Sequence, residues 1–524
     1  MAQTPDRSAA LYSTQIQFDA NNEPIVSVGI MDAQREIHVS VQGALRILPD
    51  GPGGTEIVTA PATRWTAKLE GGTPGRTGHF VALGRFSAND LSVIQAARRN
   101  WKERGLKTRT TELGSTFGFF GKVMDTRTIA ILDDTRHATR EAAQKAATRL
   151  KAAHHIDADV LEVIVQRPRG TIVLTDGVTV IRGADVLWFE PARADKTTKV
   201  HAVEFGRGFE WHKREDRTFR GLLYVAVDPG GRLAIANMVP AETMLRGIVP
   251  AEIYASAPQP ALQAQAVAAR AELLAKIGKR HLADPYLTCS DVHCQVYAGT
   301  RREDDRTDKA IAATRGRMLF HEGKLVDTVY SANCGGHTEH NHHAWGHMSP
   351  HPTLRGRPDG PTPAPQTEAD VHAMVHSKPA GFCNNRYATK SFRWEKRVSV
   401  DTIRRGMKAQ GKDVGVPRNM EILKRGVSGR AISVRVHGTH GRKITIDGEL
   451  NIRKAFGGLR SSLFVFGTLT GRDGHPTNFT FTGAGFGHGV GMCQTGAIGR
   501  AEAGHKATEI LGHYYPGAEI ERIY

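Results

Sequence analysis

The sequence predicts an α+β protein, a β-rich core with a few helices into which a βαββαβ unit is inserted. Three features carry this expectation. Residues 24–69 alternate apolar and polar side chains between Gly/Pro turns, residues 77–168 read strand-helix-strand-strand-helix-strand, and helical periodicity beside glycine-rich turns returns beyond residue 237.

In the N-terminal β-rich segment, 1–76, the alternating runs are Ile25-Val26-Ser27-Val28, Glu36 to Val41 and Leu45 to Leu48, closed by Asp50-Gly51-Pro52-Gly53-Gly54. Period two with such punctuation reads as short antiparallel strands. The insertion, 77–168, should hold strands at His79–Leu83, Leu106–Leu113, Lys122–Leu132 and Val160–Gln166. Its helices should be Ser87–Arg104, with Leu91, Ile94 and Trp101 on one side, and the Ala-rich Thr135–Ala153. This is the split βαβ, ferredoxin-like order; by pattern it resembles the glycan-binding SPOR domain of bacterial envelope proteins, and a generic ferredoxin-like spacer is the other reading. Arg98, Arg99, Lys102, Arg104, Lys107 and Arg109 crowd the end of its first helix and the next strand, with Trp101 the sole aromatic. A nucleic-acid surface interleaves aromatics with such charges, so a solvated basic face is expected.

Strands resume from Ile172 to about Ala236 and open a domain over 169–524, whose catalytic region is expected at 237–524. Pro350 to Pro365 contains six prolines and should be an extended surface loop.

The chain has 524 residues, 70 basic and 53 acidic, for a net charge of +17. That length and balance exclude a disordered chain and a disulfide-stapled miniprotein. No apolar run approaches the roughly 18–20 residues of a membrane span. Met1 to Pro24 lacks the apolar stretch of a secretory signal. The positive field favours polyanions, whether nucleic acid, anionic lipid headgroups or an acidic cell-wall polymer, or serves solubility and nonspecific attraction alone.

The chemistry-bearing segments begin with Arg246-Gly247-Ile248-Val249-Pro250-Ala251-Glu252-Ile253, where Pro250 ahead of an acid suits the first turn of a helix. A second helix, Ala261 to Ile277, buries Leu262, Ala266, Ala269, Leu273 and Ile277, while Gln263 and Arg270, seven apart, line either a cleft or its wet edge. His281, Cys289, His293 and Cys294 fall within fourteen residues and are of the ligand types of a structural zinc site. A Cys289–Cys294 disulfide and free thiols are the other readings. The five cysteines, an odd number, cannot all pair within one chain.

Tyr330 to Glu339 leaves a strand through Gly335-Gly336, and His340, His342, His343, His347 and His351 follow; a loop so rich in histidine can bind transition metals adventitiously. Trp345-Gly346 suggests a sugar-stacking platform or a packing residue. In Gly483 to Ala497, glycines at 485, 487, 489 and 491 would let main chain approach a ligand and leave His488 at a cleft. The phosphate-loop ending and the dinucleotide fingerprint are both missing.

Seven of these pieces, in order, resemble the stage II sporulation protein D family, also called the SpoIID/LytB domain. They are Arg246 to Glu252, Leu262 to Arg270, Cys289 to Tyr297, Ala312 to Gly316, Ser331 to Glu339, Phe486 to Ala497 and Tyr514 to Gly517. The resemblance is close over Thr218 to Tyr524 and leaves the insertion outside. It implies a SpoIID-type catalytic core and a lytic transglycosylase that cuts peptidoglycan glycan strands lacking stem peptides, with some relatives acting instead as enhancers of cell-wall amidases.

By the same resemblance Glu252 is the catalytic acid, and Gln263, Arg270, Ser331, His337, Thr338, His488 and Gln494 hold substrate. His281, Cys289, His293 and Cys294 match members that hold zinc, expected here to be structural. Cys493 stands where many members have Ser, and Ile253 where Met is common. The resemblance also implies a cell-envelope or periplasmic location; no nucleic-acid partner is expected.

Overall fold

The computed structural model describes residues 8–524 apart from 63, 120–121, 155–157, 207–211, 292, 347 and 362; His347 of the histidine-rich loop thus lies outside the described residues. The chain packs as two units, the first of Met1–Ala251, Leu273–Asp308 and Arg522–Tyr524, the second of Glu252–Glu272 and Lys309–Glu521. The expected domain 169–524 is therefore divided. Strands Val186–Pro191, Leu222–Val227 and Leu233–Pro240 complete a sheet begun by the N-terminal strands, which draws them into the first unit.

That sheet runs Gln17–Phe18, Pro24–Gln34, Leu233–Pro240, Leu222–Val227, Val186–Pro191, Leu45–Leu48, Ile57–Val58. Thr288–Cys289 joins Pro24–Gln34 in parallel, placing Cys289 opposite Gly29. A six-stranded sheet, Val180–Ala184, Arg169–Thr175, Arg64–Thr73, Glu36–Val41, Thr198–Phe205, Lys213–Phe219, accompanies it.

The segment expected to be an insertion forms a four-stranded antiparallel sheet in the order Asp159–Gln166, Arg76–Ser87, Thr128–Asp133, Thr108–Leu113. Its helices are Leu91–Glu103 and Arg140–His154. Val81, Leu83, Trp101, Ile131 and Ala147 share one core cluster, while Phe80, Ala82, Ala130, Leu132 and Leu161 make a second that Leu282 packs against. Arg98, Arg99, Lys102, Lys107 and Arg109 are exposed, as a solvated basic face requires. The expected strand Lys122–Leu132 is two strands. Asp125 accepts from the Arg127 amide at 3.0 Å and turns the chain, so Lys122–Asp125 pairs with Thr116–Phe119 in a separate hairpin.

In the second unit, Arg393–Ser399, Pro476–Ala484 and Phe464–Thr470 make one antiparallel sheet and Pro417–Arg425, Ala431–Gly438 and Lys443–Asp447 another. Phe456, Phe464, Phe479 and Phe481 fill a shared core. The proline-rich loop is irregular, as expected, yet it is not a surface crossing: Thr353, Leu354 and Asp359 are buried. Buried backbone needs partners, and the segment after Ser331 supplies them. Thr338 N donates to Arg357 O at 2.8 Å, Asn341 N to Leu354 O at 3.1 Å and Asp359 N to Gly336 O at 2.9 Å. Among the described residues no helix is long and apolar enough to cross a membrane.

Candidate functional site

Glu252 ends the helix Ala241–Glu252. Met244, Leu245, Ile248 and Val249 are buried, and their i, i+4 spacing fixes which side of the helix faces inward. Pro250 lies in the last turn, not the first. Its missing N–H costs least where the helix is ending, and the acid accordingly sits at the carbonyl end. Glu252 is half-buried, and its sequence neighbours Val249 and Ile253 are buried. Its main-chain carbonyl accepts from Gln494 Nε2 at 2.9 Å, and the same nitrogen lies 3.2 Å from Gln265 Oε1. Burial first, then the charges of Glu252 and Glu272, push the Tyr330 hydroxyl well above its ordinary range, so these three groups share one electrostatic neighbourhood.

The helix Gln259–Lys276 follows, with Leu262, Ala266, Ala269 and Leu273 buried as expected. Gln263 is half-buried. Arg270 is not on a wet edge. It is fully buried and donates to the carbonyls of Arg317 at 2.9 Å and Ile311 at 3.5 Å. It cannot reach sugar hydroxyls from there.

Other expected substrate contacts also turn inward. Thr338 Oγ1 accepts from Arg357 N at 2.7 Å, and His337 Nδ1 donates to Thr338 O at 2.6 Å; both residues are buried, so both brace the proline-rich loop. Desolvation holds the His337 imidazole below its ordinary range, which keeps it neutral. Ser331 is buried, and its Oγ has no hydrogen-bond partner among the described residues. Gln494 is buried and spends its amide nitrogen on the Glu252 carbonyl, so it positions the acid.

His488 remains half-buried. Its Nδ1 accepts from Val490 N at 3.1 Å, which puts the ring proton on Nε2, and the ring lies 4.8 Å from that of Trp345. The glycines of this turn approach the protein itself and not an open ligand space. A Cβ on Gly489 would meet Arg430 Cζ at 2.3 Å and one on Gly491 the Val329 carbonyl at 2.0 Å, with φ of +80° and +69°. Tyr254, two residues past Glu252, is 57% exposed and lies 5.3 Å from the Tyr387 ring, an aromatic pair the sequence did not mark out. Such exposed rings suit the apolar faces of sugars.

His281, Cys289, His293 and Cys294 come together in the first unit, their ligand atoms all within 4.8 Å of one another. His281 Nε2 lies 3.3 Å from Cys294 Sγ and 3.3 Å from His293 Nδ1, and His293 Nδ1 lies 3.8 Å from each sulfur. Zinc with bonds of about 2.0–2.3 Å would set tetrahedral ligands about 3.3–3.8 Å apart. All five cysteines are free thiols. Asp284 Oδ2 accepts from His281 Nδ1 at 2.8 Å, the partner that fixes a metal-ligating imidazole. These residues fit the ion. Gly29 keeps the place open, since a Cβ there would strike the Tyr286 ring at 2.6 Å, and that ring packs 5.1 Å from His281.

Sequence reasoning missed a second gathering. Cys334, Asp359, Cys383 and Cys493 meet in the core of the second unit. The histidine-rich loop is built otherwise: His343 Nδ1 pairs with buried Glu339 at 2.9 Å and His340 Nδ1 accepts from Gly356 N at 2.8 Å.

Residues 230–321 match the family described as "Stage II sporulation protein", and residues 339–491 match "Domain of unknown function (DUF8618)". An uncharacterized protein of Brachyspira hyodysenteriae is 25% identical over 62% of this chain and 79% of its own length. The "Amidase enhancer" of Bacillus subtilis is 28% identical over 53% of this chain and 40% of its own length. "Stage II sporulation protein D" of Bacillus amyloliquefaciens is 27% identical over 54% of this chain and 74% of its own length.

Proposed function

Since this chain belongs to the stage II sporulation protein D family, we propose that it is a peptidoglycan lytic transglycosylase of the cell envelope. It cleaves MurNAc-GlcNAc bonds of strands lacking stem peptides, leaving 1,6-anhydro ends. The observation that carries this reading is Glu252 itself, half-buried at a helix end with its main-chain carbonyl held by Gln494 from the junction after the turn that carries His488.

Most glycosidases use two carboxylates. Here the substrate's C6 hydroxyl serves as nucleophile, so one carboxyl works twice. Glu252 protonates the leaving oxygen as positive charge develops at MurNAc C1, then accepts the C6 hydroxyl proton. This sequence of steps requires the Glu252 carboxyl to be protonated at the first step and ionised at the second. His488, through Nε2–H, and Gln263 hold sugar oxygens, and Trp345 and Tyr254 offer ring faces. Zinc held by His281, Cys289, His293 and Cys294 would fix the fold of its loop; four protein ligands leave no position for water.

The insertion's strand order supports a ferredoxin-like, SPOR-like reading, in which it holds the enzyme on glycan strands. The amidase-enhancer relative favours a second reading, a glycan-binding activator of a cell-wall amidase without cleavage of its own. Stem-peptide-free strands incubated with wild type and Glu252→Gln decide between them. Anhydro-muramyl products from wild type alone support the enzyme. Strand binding and amidase stimulation that survive Glu252→Gln, without products from either, support the activator.

A further inference from the structure

We propose that Cys334, Cys383, Cys493 and Asp359 form a second zinc site, structural and closed, joining four stretches of chain in the core of the second unit. All four side chains are 0% exposed, and their ligand atoms all lie within 4.8 Å of one another. Cys334 Sγ stands 3.6 Å from Asp359 Oδ2, near the edge of about 3.5 Å expected for a sulfur and an oxygen on one tetrahedral zinc. Three thiolates and a carboxylate are donors suited to that ion.

The surroundings are arranged for ionised ligands. Cys493 caps the helix Gln494–Glu502, and its sulfur accepts from Gly496 N at 3.3 Å and Cys334 N at 3.1 Å. Amide donors at the positive end of a helix stabilise a thiolate. Asp359 Oδ1 accepts from the Tyr514 hydroxyl at 2.7 Å and Arg500 Nη2 at 3.1 Å, which leaves Oδ2 toward the sulfurs and supplies a positive charge behind the carboxylate. The cradle is tight. A Cβ on Gly496 would fall 2.2 Å from Asp359 Oδ2 and 2.1 Å from the Tyr514 hydroxyl.

A disulfide would use two of the three sulfurs and leave an odd thiol against a buried carboxylate, whereas one divalent cation satisfies all four groups. With no exposed face the site has no open position for catalysis. Its effect is to lock the stretch before His337, the proline-rich loop and the helix that begins at Gln494 into one body. The inference rests on this core alone and stands whether or not the protein cleaves glycan.

The test is metal content of the full chain, purified with a reductant and no chelator and loaded with zinc(II). Wild type is expected to hold two zinc ions, and Cys289→Ser/Cys294→Ser and Cys383→Ser/Cys493→Ser one each. Because the core variant risks misfolding, cobalt(II) is loaded into Cys289→Ser/Cys294→Ser, whose buried cluster is intact. A thiolate-to-cobalt charge-transfer band, one cobalt per chain, supports the site. The proposal is overturned if that variant, folded by circular dichroism, binds neither zinc nor cobalt. It is equally overturned if non-reducing peptide mapping of wild type finds two of Cys334, Cys383 and Cys493 in a disulfide.

Discussion

Gln494 Nε2 holds the main-chain carbonyl of Glu252 at 2.9 Å, across 242 residues of sequence. The carbonyl belongs to the end of a helix, where the last four C=O groups have no intrahelical partner. A side chain from the strand-helix junction after the glycine-rich turn supplies one. The acid and the turn that carries His488 are thus tied through backbone, and the glycines that look like a ligand cradle are needed to fold that turn onto Arg430 and Val329.

Replacing the acid is expected to remove the chemistry. Glu252→Gln should lower anhydro-muramyl release by about 10² to 10⁴-fold, the usual span of general acid-base catalysis. Gln494→Leu should cost about fivefold in kcat with KM little changed, because one hydrogen bond of about 1 kcal/mol orients the acid and none is lost to substrate. Product release followed by mass spectrometry over a substrate series checks both. A KM effect from Gln494→Leu equal to that on kcat would return Gln494 to the substrate contacts.

Asp284 should matter to the proposed zinc site of His281, Cys289, His293 and Cys294 without being one of its ligands. Asp284→Asn removes the carboxylate that orients His281 and should weaken zinc binding by about 10- to 100-fold. Competition against a chromophoric chelator measures this directly. The folded wild-type protein should also lose thermal stability when stripped of metal, since binding to the native state alone stabilises it.

How far the site could be read in advance followed the sequence separation of its parts. His281 to Cys294 was visible because its four ligand types fall in one short run, and Glu252 because its motif is local. Cys334, Asp359, Cys383 and Cys493 were not, for they are spread over 160 positions and only the fold brings them together. Arg270 misled for another reason. Helical spacing tells which residues share a side, but not that a guanidinium will be buried under the carbonyls of Arg317 and Ile311. The alternating strands were legible from period two alone, while the break at Asp125 depended on a side-chain hydrogen bond to Arg127.

Arg270 therefore gives a discriminating variant. Arg270→Met should lower stability by about 2–3 kcal/mol through the loss of charged hydrogen bonds to buried carbonyls. The surviving folded fraction should show an unchanged KM for glycan strands. Urea unfolding alongside kinetics separates the two effects, and a raised KM at unchanged stability would contradict the buried role.

Glu339 sets an acid limit on the second unit. Its carboxylate is 1% exposed and accepts from His343 Nδ1 at 2.9 Å, Ser428 Oγ at 2.6 Å, and the amides of His340, Val427 and Ser428 at 2.8, 3.1 and 3.2 Å. Burial opposes the charge, but these donors and the Arg430 cation outweigh it and hold the carboxyl below its ordinary 4.5. Between that lowered value and 4.5 the unfolded chain binds more protons than the native one. The stabilisation is thus complete above about pH 4.5 and is lost as pH falls through the native value. Urea unfolding at a series of pH values should show this drop in wild type. In Glu339→Leu, which strands His343 and Arg430 without their carboxylate, stability at pH 7 should fall by about 3–5 kcal/mol and the acid-dependent step should shrink. An undiminished acid step in that variant would mean that another carboxylate governs the transition.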